Sequence, residues 1–187
     1  MWRRILQDNG TAIAQRWLLE IFDSYPPETA KFLKKQKDPH ANPVGHTLRI
    51  CTAGICESLF AETLDAEAVC THLMEIIKVR AVQDMAPARA LSFIFLLRNA
   101  VRAETGGAAT PEILALADER VDQAALFAFD IYVKCREQMY QLRVNEVKRN
   151  VSVIIEKFNK ENCGVDPEPE ESGAGETLQQ PIARCEA

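Results

Sequence analysis

The 187-residue sequence has no long run of apolar residues. Its most apolar stretch, Leu91 to Leu97, is interrupted only by Ser92 and ends at Arg98. A helix that crosses a bilayer needs about 20 apolar residues, so this stretch predicts a buried core helix instead. The N-terminal MWRRILQDNG is also too polar to form a signal peptide. We therefore expect a cytoplasmic protein that has no membrane partner.

The body of the chain has no excess of charge of either sign. The residues from Cys163 to the end carry a net charge of −5, which equals the formal charge of the whole chain, so 1–162 is neutral. Because nucleic-acid binding rests on clustered Lys and Arg, a neutral body argues against that partner. The same final residues are rich in Pro, Gly and Glu. Such a composition cannot bury enough surface to fold, so we predict that 163–187 is a disordered acidic tail.

Motifs that carry chemistry are missing as well. The six cysteines form no C-x-x-C pair, and no His/Cys cluster has the spacing of a zinc site. The sequence contains no glycine-rich phosphate loop, no H-E-x-x-H and no EF-hand loop. No nucleophile, base or pair of carboxylates has an interpretable spacing. These absences predict a protein that is not an enzyme and that holds no metal or cofactor.

Strand signals are nearly absent, and the body is predicted to be helical throughout. The first helix is expected over about 2–23, with a possible break at Asn9-Gly10. Capping residues are expected before the next helices: Ser24, Asn42 and Asp65. The helix after Asn42 has one apolar stripe at gaps of three and four residues: Val44, Leu48, Cys51, Ile55 and Leu59. A further helix, from Asp84 or Ala86-Pro87 to about Arg102, contains the apolar stretch and should be buried on most sides.

The last helix is predicted to run from Thr110-Pro111 to about Asn162. Its C-terminal half carries apolar residues at gaps of 4, 3, 4, 3 and 4, the a/d spacing of a coiled coil. We call these residues the stalk stripe: Tyr140, Val144, Val147, Val151, Ile154 and Phe158. Leu126, Phe129 and Val133 keep a similar stripe upstream, joined through 11-residue spacings that break the heptad phase. A helix of this length needs a partner, so we predict a homodimer, with packing inside one monomer as the alternative.

Four motifs now stand in order along the body: "YPPETAKFL", "NPVGHTLR", "VRAVQD-x-x-P-x-x-A-x-x-FIFLLR" and "FDIYVKCRE". Together they resemble the N-terminal domain family of RsbT co-antagonist proteins, the RsbR/RsbD-type sensor domain of bacterial stressosome components. The resemblance covers about 12–150. It implies an all-α fold related to globins but without haem, and a dimer whose last helix leads outward as a stalk.

This chain departs from the pattern of the family after Asn162. Family members usually continue into a phosphorylatable STAS domain, whereas few residues follow Asn162 here, so kinase binding and stressosome assembly are not carried over. The expected organisation is a globin-like sensor domain over 1–139, a coiled-coil-like stalk over 140–162 and the acidic tail. The expected function is a regulatory dimer in a bacterial stress or redox pathway. A partner protein would then supply the output domain.

A sensor pocket is expected where polar residues precede the buried helix. Arg80, Gln83 and Asp84 could bind a small anion or form one wall of a pocket, with Phe93 and Leu97 as the apolar wall. The alternative is an N-terminal cap and an ion pair between Arg80 and Asp84. His46 would make a polar contact in this pocket or respond to pH; alternatively it is a surface or capping histidine.

Two other functions stay open. His72 lies near the inner face of its helix, so it is a weak candidate for a haem ligand in a gas sensor. A histidine on an apolar stripe is more often a packed core residue, and His40 lies in a loop. The third possibility is a passive adaptor that recruits another protein through its stalk or its acidic tail.

Overall fold

The computed structural model describes residues 2–83 and 85–163, and every regular element within these ranges is a helix. The all-α prediction is therefore confirmed. The helices are α1 (Trp2–Asp8), α2 (Gly10–Asp23), α3 (Pro27–Lys35), α4 (Pro43–Leu59), α5 (Ala66–Val82), α6 (Pro87–Leu91), α7 (Phe93–Thr105), a short 3-10 helix (Gly106–Ala108) and α8 (Pro111–Cys163). The predicted break near Asn9 is present, because α1 ends just before it and α2 begins just after it.

Two of the predicted caps start their helices as expected. The side-chain oxygen of Asn42 accepts a hydrogen bond from the Gly45 amide at 2.8 Å, and that of Asp65 accepts one from the Ala68 amide at 3.0 Å. Each bond satisfies a backbone donor that has no partner within its helix. A side chain at Gly45 would collide with the amide group of Asn42, so the cap requires glycine there.

The predicted cap at Ser24 is wrong. Helix α3 begins at Pro27 with Pro26 as its N-cap, and no side chain caps it. Ser24 instead ends α2, where its hydroxyl donates to the Ile21 carbonyl at 2.6 Å. A proline at the first helical position fixes φ and needs no N–H partner, so this start does not depend on a capping side chain.

The single helix expected over the apolar stretch is divided into α6 and α7 at Ser92. Side chains from other helices donate to carbonyls on both sides of this point. A guanidinium nitrogen of Arg80 lies 3.2 Å from the Ala90 carbonyl, and Nε1 of Trp17 lies 2.7 Å from the Phe93 carbonyl. Side chains that insert into a helical hydrogen-bond ladder bend the helix, which gives the break a physical cause.

The core is built around α2, α4, α5 and α7, and the first part of α8 adds buried side chains such as Val121, Ala124 and Ala128. Helix α4 packs on α5, and α2 packs on both α4 and α7. The α4 stripe is buried as predicted at Leu48, Cys51, Ile55 and Leu59, whereas Val44 is half-buried. Within the apolar stretch, one residue departs from the prediction: Phe95 is 48% exposed. No helix in the described ranges combines the length and apolar character that crossing a bilayer requires.

Contacts divide the chain into two compact units, one reaching to Cys135 and one beginning at Arg136. The first unit contains the packed helices α1 to α7 and the first part of α8. The described part of the second unit is the rest of α8, in which every side chain over 141–160 is exposed. Most of the predicted acidic tail lies outside the described residues; Cys163 is the end of α8.

Candidate functional site

A buried arginine lies in the last turn of α5, in the first unit. Arg80 is only 3% exposed, and its guanidinium donates to the Ala90 carbonyl and to the Ser24 hydroxyl, both at 3.2 Å. The same group lies over two aromatic rings, 5.4 Å from the ring centre of Tyr25 and 4.9 Å from that of Phe93. The cation is thus held by oxygen acceptors and aromatic faces, an arrangement that partly replaces its hydration. We call this group the arginine cluster.

Two aromatic residues fix the geometry of the arginine cluster. The rings of Trp17 and Phe93 are stacked, with centres 6.0 Å apart and planes at 12°. The bond from Trp17 Nε1 to the Phe93 carbonyl adds a polar tie between α2 and α7. Two polar atoms of the cluster, Nε of Arg80 and the hydroxyl of Tyr25, are buried and have no hydrogen-bond partner in the described part of the chain.

The structure brings together only part of the predicted pocket. Arg80 and Phe93 are in contact, and Leu97 is buried one turn further along α7. Gln83 follows the last residue of α5 and is exposed. Asp84 lies outside the described residues. The proposal that these residues bind a ligand remains a prediction, because the contacts of Arg80 and Phe93 also tie helices together.

The two candidate histidines lie on adjacent helices. His46 is in the first turns of α4 and is half-buried. His72, on α5, packs so closely on α4 that a side chain at Gly54 would collide with its Nε2 atom. Because the nitrogen that would ligate iron faces a neighbouring helix, this geometry favours helix packing over haem ligation for His72. His40 is exposed in the turn before α4.

A groove that the sequence did not indicate runs between α4 and the α1–α2 segment. Its volume is about 560 Å³, within the usual range of small-molecule sites. Its apolar lining comes from both sides: Leu6, Ala14, Leu18, Ala53, Cys56 and Phe60. Polar side chains complete it: Gln7, Thr11, Gln15, Arg49, Thr52 and Glu57. We call this the α2–α4 groove.

Arg49 is the basic residue of the α2–α4 groove. One of its terminal nitrogens donates to the Leu33 carbonyl at 2.6 Å and to the Gln36 carbonyl at 3.3 Å, and the guanidinium lies over the Phe22 ring. The other terminal nitrogen, Nη1, is buried without a hydrogen-bond partner in the described residues. The groove wall also contains Cys56, whose pKa is raised by burial, so its thiol is neutral and acts as an apolar surface.

Sequence reasoning missed this groove for a physical reason. Its residues come from separate helices, and no periodicity or motif predicts which two helices leave space between them. One signal was present: Arg49 ends the motif "NPVGHTLR", but arginine near the start of a helix has many ordinary uses. Among the described residues, no cluster of three or more His, Cys, Asp or Glu side chains could hold a metal ion.

The stalk stripe lies in the second unit. All six of its side chains are between 45% and 66% exposed. Leu142 and Val153, on other faces of the same helix, are also exposed. Near the start of this unit, Arg136 donates to the Tyr140 hydroxyl at 2.9 Å and lies 5.1 Å from the centre of its ring. A row of exposed apolar side chains on one helix face is typical of a protein-binding surface.

Comparison with known proteins identifies the family. The family model described as the RsbT co-antagonist protein rsbRD N-terminal domain matches residues 11–147, which agrees with the resemblance seen in the four motifs. No STAS domain is matched beside it. No curated protein and no solved structure matches the chain, so the globin-like fold remains a prediction. The matched region covers most of the chain, and the protein therefore belongs to the RsbT co-antagonist protein rsbRD N-terminal domain family.

Proposed function

We propose that this protein is a non-enzymatic regulatory dimer that transmits a signal through its last helix in a bacterial stress or redox pathway. The family supplies the regulatory class, because its domain is a stressosome-type sensor. The observation that supports the dimer is the exposed stalk stripe. Covering one Val, Ile or Phe side chain contributes about 1.5–3 kcal/mol relative to full exposure, so pairing two such stripes removes a substantial cost of exposure.

A physical link between α7 and the start of α8 supports transmission within the first unit. Arg98 pairs with Asp118 and Asp122, and Arg102 pairs with Asp118 at 2.6 Å. A change in the position of α7 would therefore be transmitted through these ion pairs to the first turns of α8. A ligand or partner must still bind one arrangement of the helix better than the other for any signal to pass.

The charges beside the stalk stripe favour a second candidate function, in which the stalk pairs with a helix of a different protein. With Tyr140 and Ile154 at d positions, the e and g positions that flank the stripe contain Arg143, Lys148 and Lys157 and no acidic residue. In a parallel homodimer, Arg143 of one copy faces Lys148 of the other, and these like charges repel. A partner helix with acidic flanking residues would fit better, as expected if another protein supplies the output domain.

Light scattering separates these candidates. In a homodimer, we expect Ile154→Glu to lower the measured mass toward that of a monomer. The matched control is Leu142→Glu, which places the same charge at a similarly exposed residue (69% against 66% for Ile154) on the opposite side of the helix and should leave the mass unchanged. Because the flanking charges repel, the dimer should become tighter as salt is raised from low to moderate concentration.

A monomer at all concentrations and salt conditions would contradict the homodimer. An acidic coiled-coil peptide that then bound the wild-type chain but not the Ile154→Glu variant would establish the second candidate. Binding that persisted after Ile154→Glu would instead assign the interaction to another surface, such as the acidic tail in the adaptor hypothesis.

A further inference from the structure

The α2–α4 groove combines three properties that usually belong to a ligand site. It has the volume of a small-molecule pocket, an apolar lining and one arginine in its wall. The lining is made of small and aromatic side chains, among them Ala14, Ala53 and Phe60. Such a surface binds an aliphatic chain well, because covering it removes apolar area from water on both partners.

One terminal nitrogen of the arginine in the groove has no acceptor in the described residues. Nη1 of Arg49 is buried and has no hydrogen-bond partner in the described residues, while the other terminal nitrogen is used by the carbonyls of Leu33 and Gln36. A buried charged donor without an acceptor destabilises the protein, and a carboxylate matches the forked geometry of a guanidinium. The wall of the groove is therefore complementary to an anionic head group.

The charges of the groove also favour one orientation of a bound carboxylate. Glu57 lines it two helical turns beyond Arg49, so a carboxylate is attracted at the Arg49 end and repelled further along. Helix α4 rises about 1.5 Å per residue, which places Arg49 and Phe60 about 16 Å apart along its axis. A fatty acid of about ten to twelve carbons has a similar extended length, at about 1.3 Å per carbon from ordinary bond lengths.

We propose that the α2–α4 groove binds an aliphatic monocarboxylate, with its head group at Arg49 and its chain running past Ala53 and Cys56 toward Phe60. This assignment is independent of the proposed dimer, because every residue of the groove belongs to the first unit. Binding at the groove would hold α2 against α4, and α2 also packs on α7. The groove is thus a candidate entry point for a signal.

Calorimetric titration of the full chain with sodium decanoate, below its micelle concentration, tests the proposal. We expect one saturable site per chain, and an affinity that rises by about fourfold for each methylene from octanoate to dodecanoate. Decylammonium has the same chain with the opposite charge and should not bind. Equal binding of decanoate and decylammonium, or no saturable binding of decanoate, would overturn the assignment.

Two variants locate the site. Ala53→Phe fills the groove from an exposed position of α4 and should abolish binding, whereas Ala103→Phe, at an exposed position of α7, should leave it unchanged. Arg49→Gln should weaken decanoate binding by about tenfold or more. Since Arg49 also holds the end of α3, circular dichroism must show that this variant is folded.

Unchanged binding in the Ala53→Phe variant would show that the groove is not the site. If decanoate does not bind and Ala53→Phe instead changes the mass in light scattering, the groove is a protein interface and the proposal is wrong. Loss of binding in Ala53→Phe together with full binding in Arg49→Gln would keep the chain in the groove but reject the assigned head-group contact.

Discussion

Two helices of this chain carry apolar stripes at gaps of three and four residues, but one stripe is buried and the other is exposed. On α4, the stripe that includes Leu48, Ile55 and Leu59 is buried to within a few per cent. On the second unit of α8, the stalk stripe repeats apolar residues at gaps of three and four and remains about half exposed or more. Periodicity therefore defines a helix and its apolar face, but not what covers that face.

The difference has an energetic meaning. The first unit covers the α4 stripe with its own helices, so the stability gained from that stripe belongs to one chain. The stalk stripe leaves apolar area in water, and that area becomes stabilising only when a partner covers it. Mutations in the two regions should thus respond differently to protein concentration.

The largest effect should come from truncating matched isoleucines in the two regions. Ile55 is fully buried and Ile154 is 66% exposed. We expect Ile55→Ala to lower the free energy of unfolding by about 2–5 kcal/mol at every protein concentration, because it leaves a cavity. Ile154→Ala should change it by less than about 0.5 kcal/mol in dilute protein, where no partner covers the side chain.

Urea denaturation at two protein concentrations measures this contrast. If the proposed dimer forms, the cost of Ile154→Ala should grow with concentration while that of Ile55→Ala stays constant. A large and concentration-independent cost for Ile154→Ala would mean that the stalk stripe is covered within one chain, which would remove the contrast between the two regions.

A smaller effect is expected from the arginine cluster. Arg80→Met removes the donors to the Ala90 carbonyl and the Ser24 hydroxyl, and we expect it to cost about 1–3 kcal/mol because the buried Ala90 carbonyl loses its partner. Arg89→Met, at an exposed arginine of α6, is the control and should stay within about 0.5 kcal/mol. Thermal unfolding followed by circular dichroism compares them. Equal melting temperatures for the two variants would show that Arg80 contributes nothing to stability and is free for another role.

The smallest effect should come from a pair of hydroxyls that make the same bond in the two regions. Thr52 is buried and donates to the Leu48 carbonyl at 2.8 Å, and Ser152 is exposed and donates to the Lys148 carbonyl at 3.1 Å. Thr52→Ala should cost about 1 kcal/mol. Ser152→Ala should be neutral or stabilise by a few tenths of a kcal/mol, because water replaces the bond and alanine favours the helix. A loss of stability on Ser152→Ala, measured by urea denaturation, would show that this face of the stalk is also covered.

Local signals predicted local structure well. The caps at Asn42 and Asp65 and the break at Asn9 depend on residues within a few positions, and all three are present. The division of the apolar stretch at Ser92 could not be predicted, because Trp17 and Arg80 reach it from 76 and 10 residues away. The candidate site was predicted only where Arg80 meets Phe93; the α2–α4 groove depends on how two helices approach each other.

The sequence by itself determined the helical class, most helix starts, the apolar face of α4 and the family, because these follow from periodicity, capping chemistry and ordered motifs. Only the tertiary structure decided that Arg80 lies between aromatic rings, that His72 packs on Gly54, and that Arg49 lines a groove. These features arise from contacts between residues far apart in the chain. Packing selects such contacts by shape and by the need to satisfy buried polar groups. A local sequence pattern specifies neither the shape of the packed surface nor the partners of its buried polar groups.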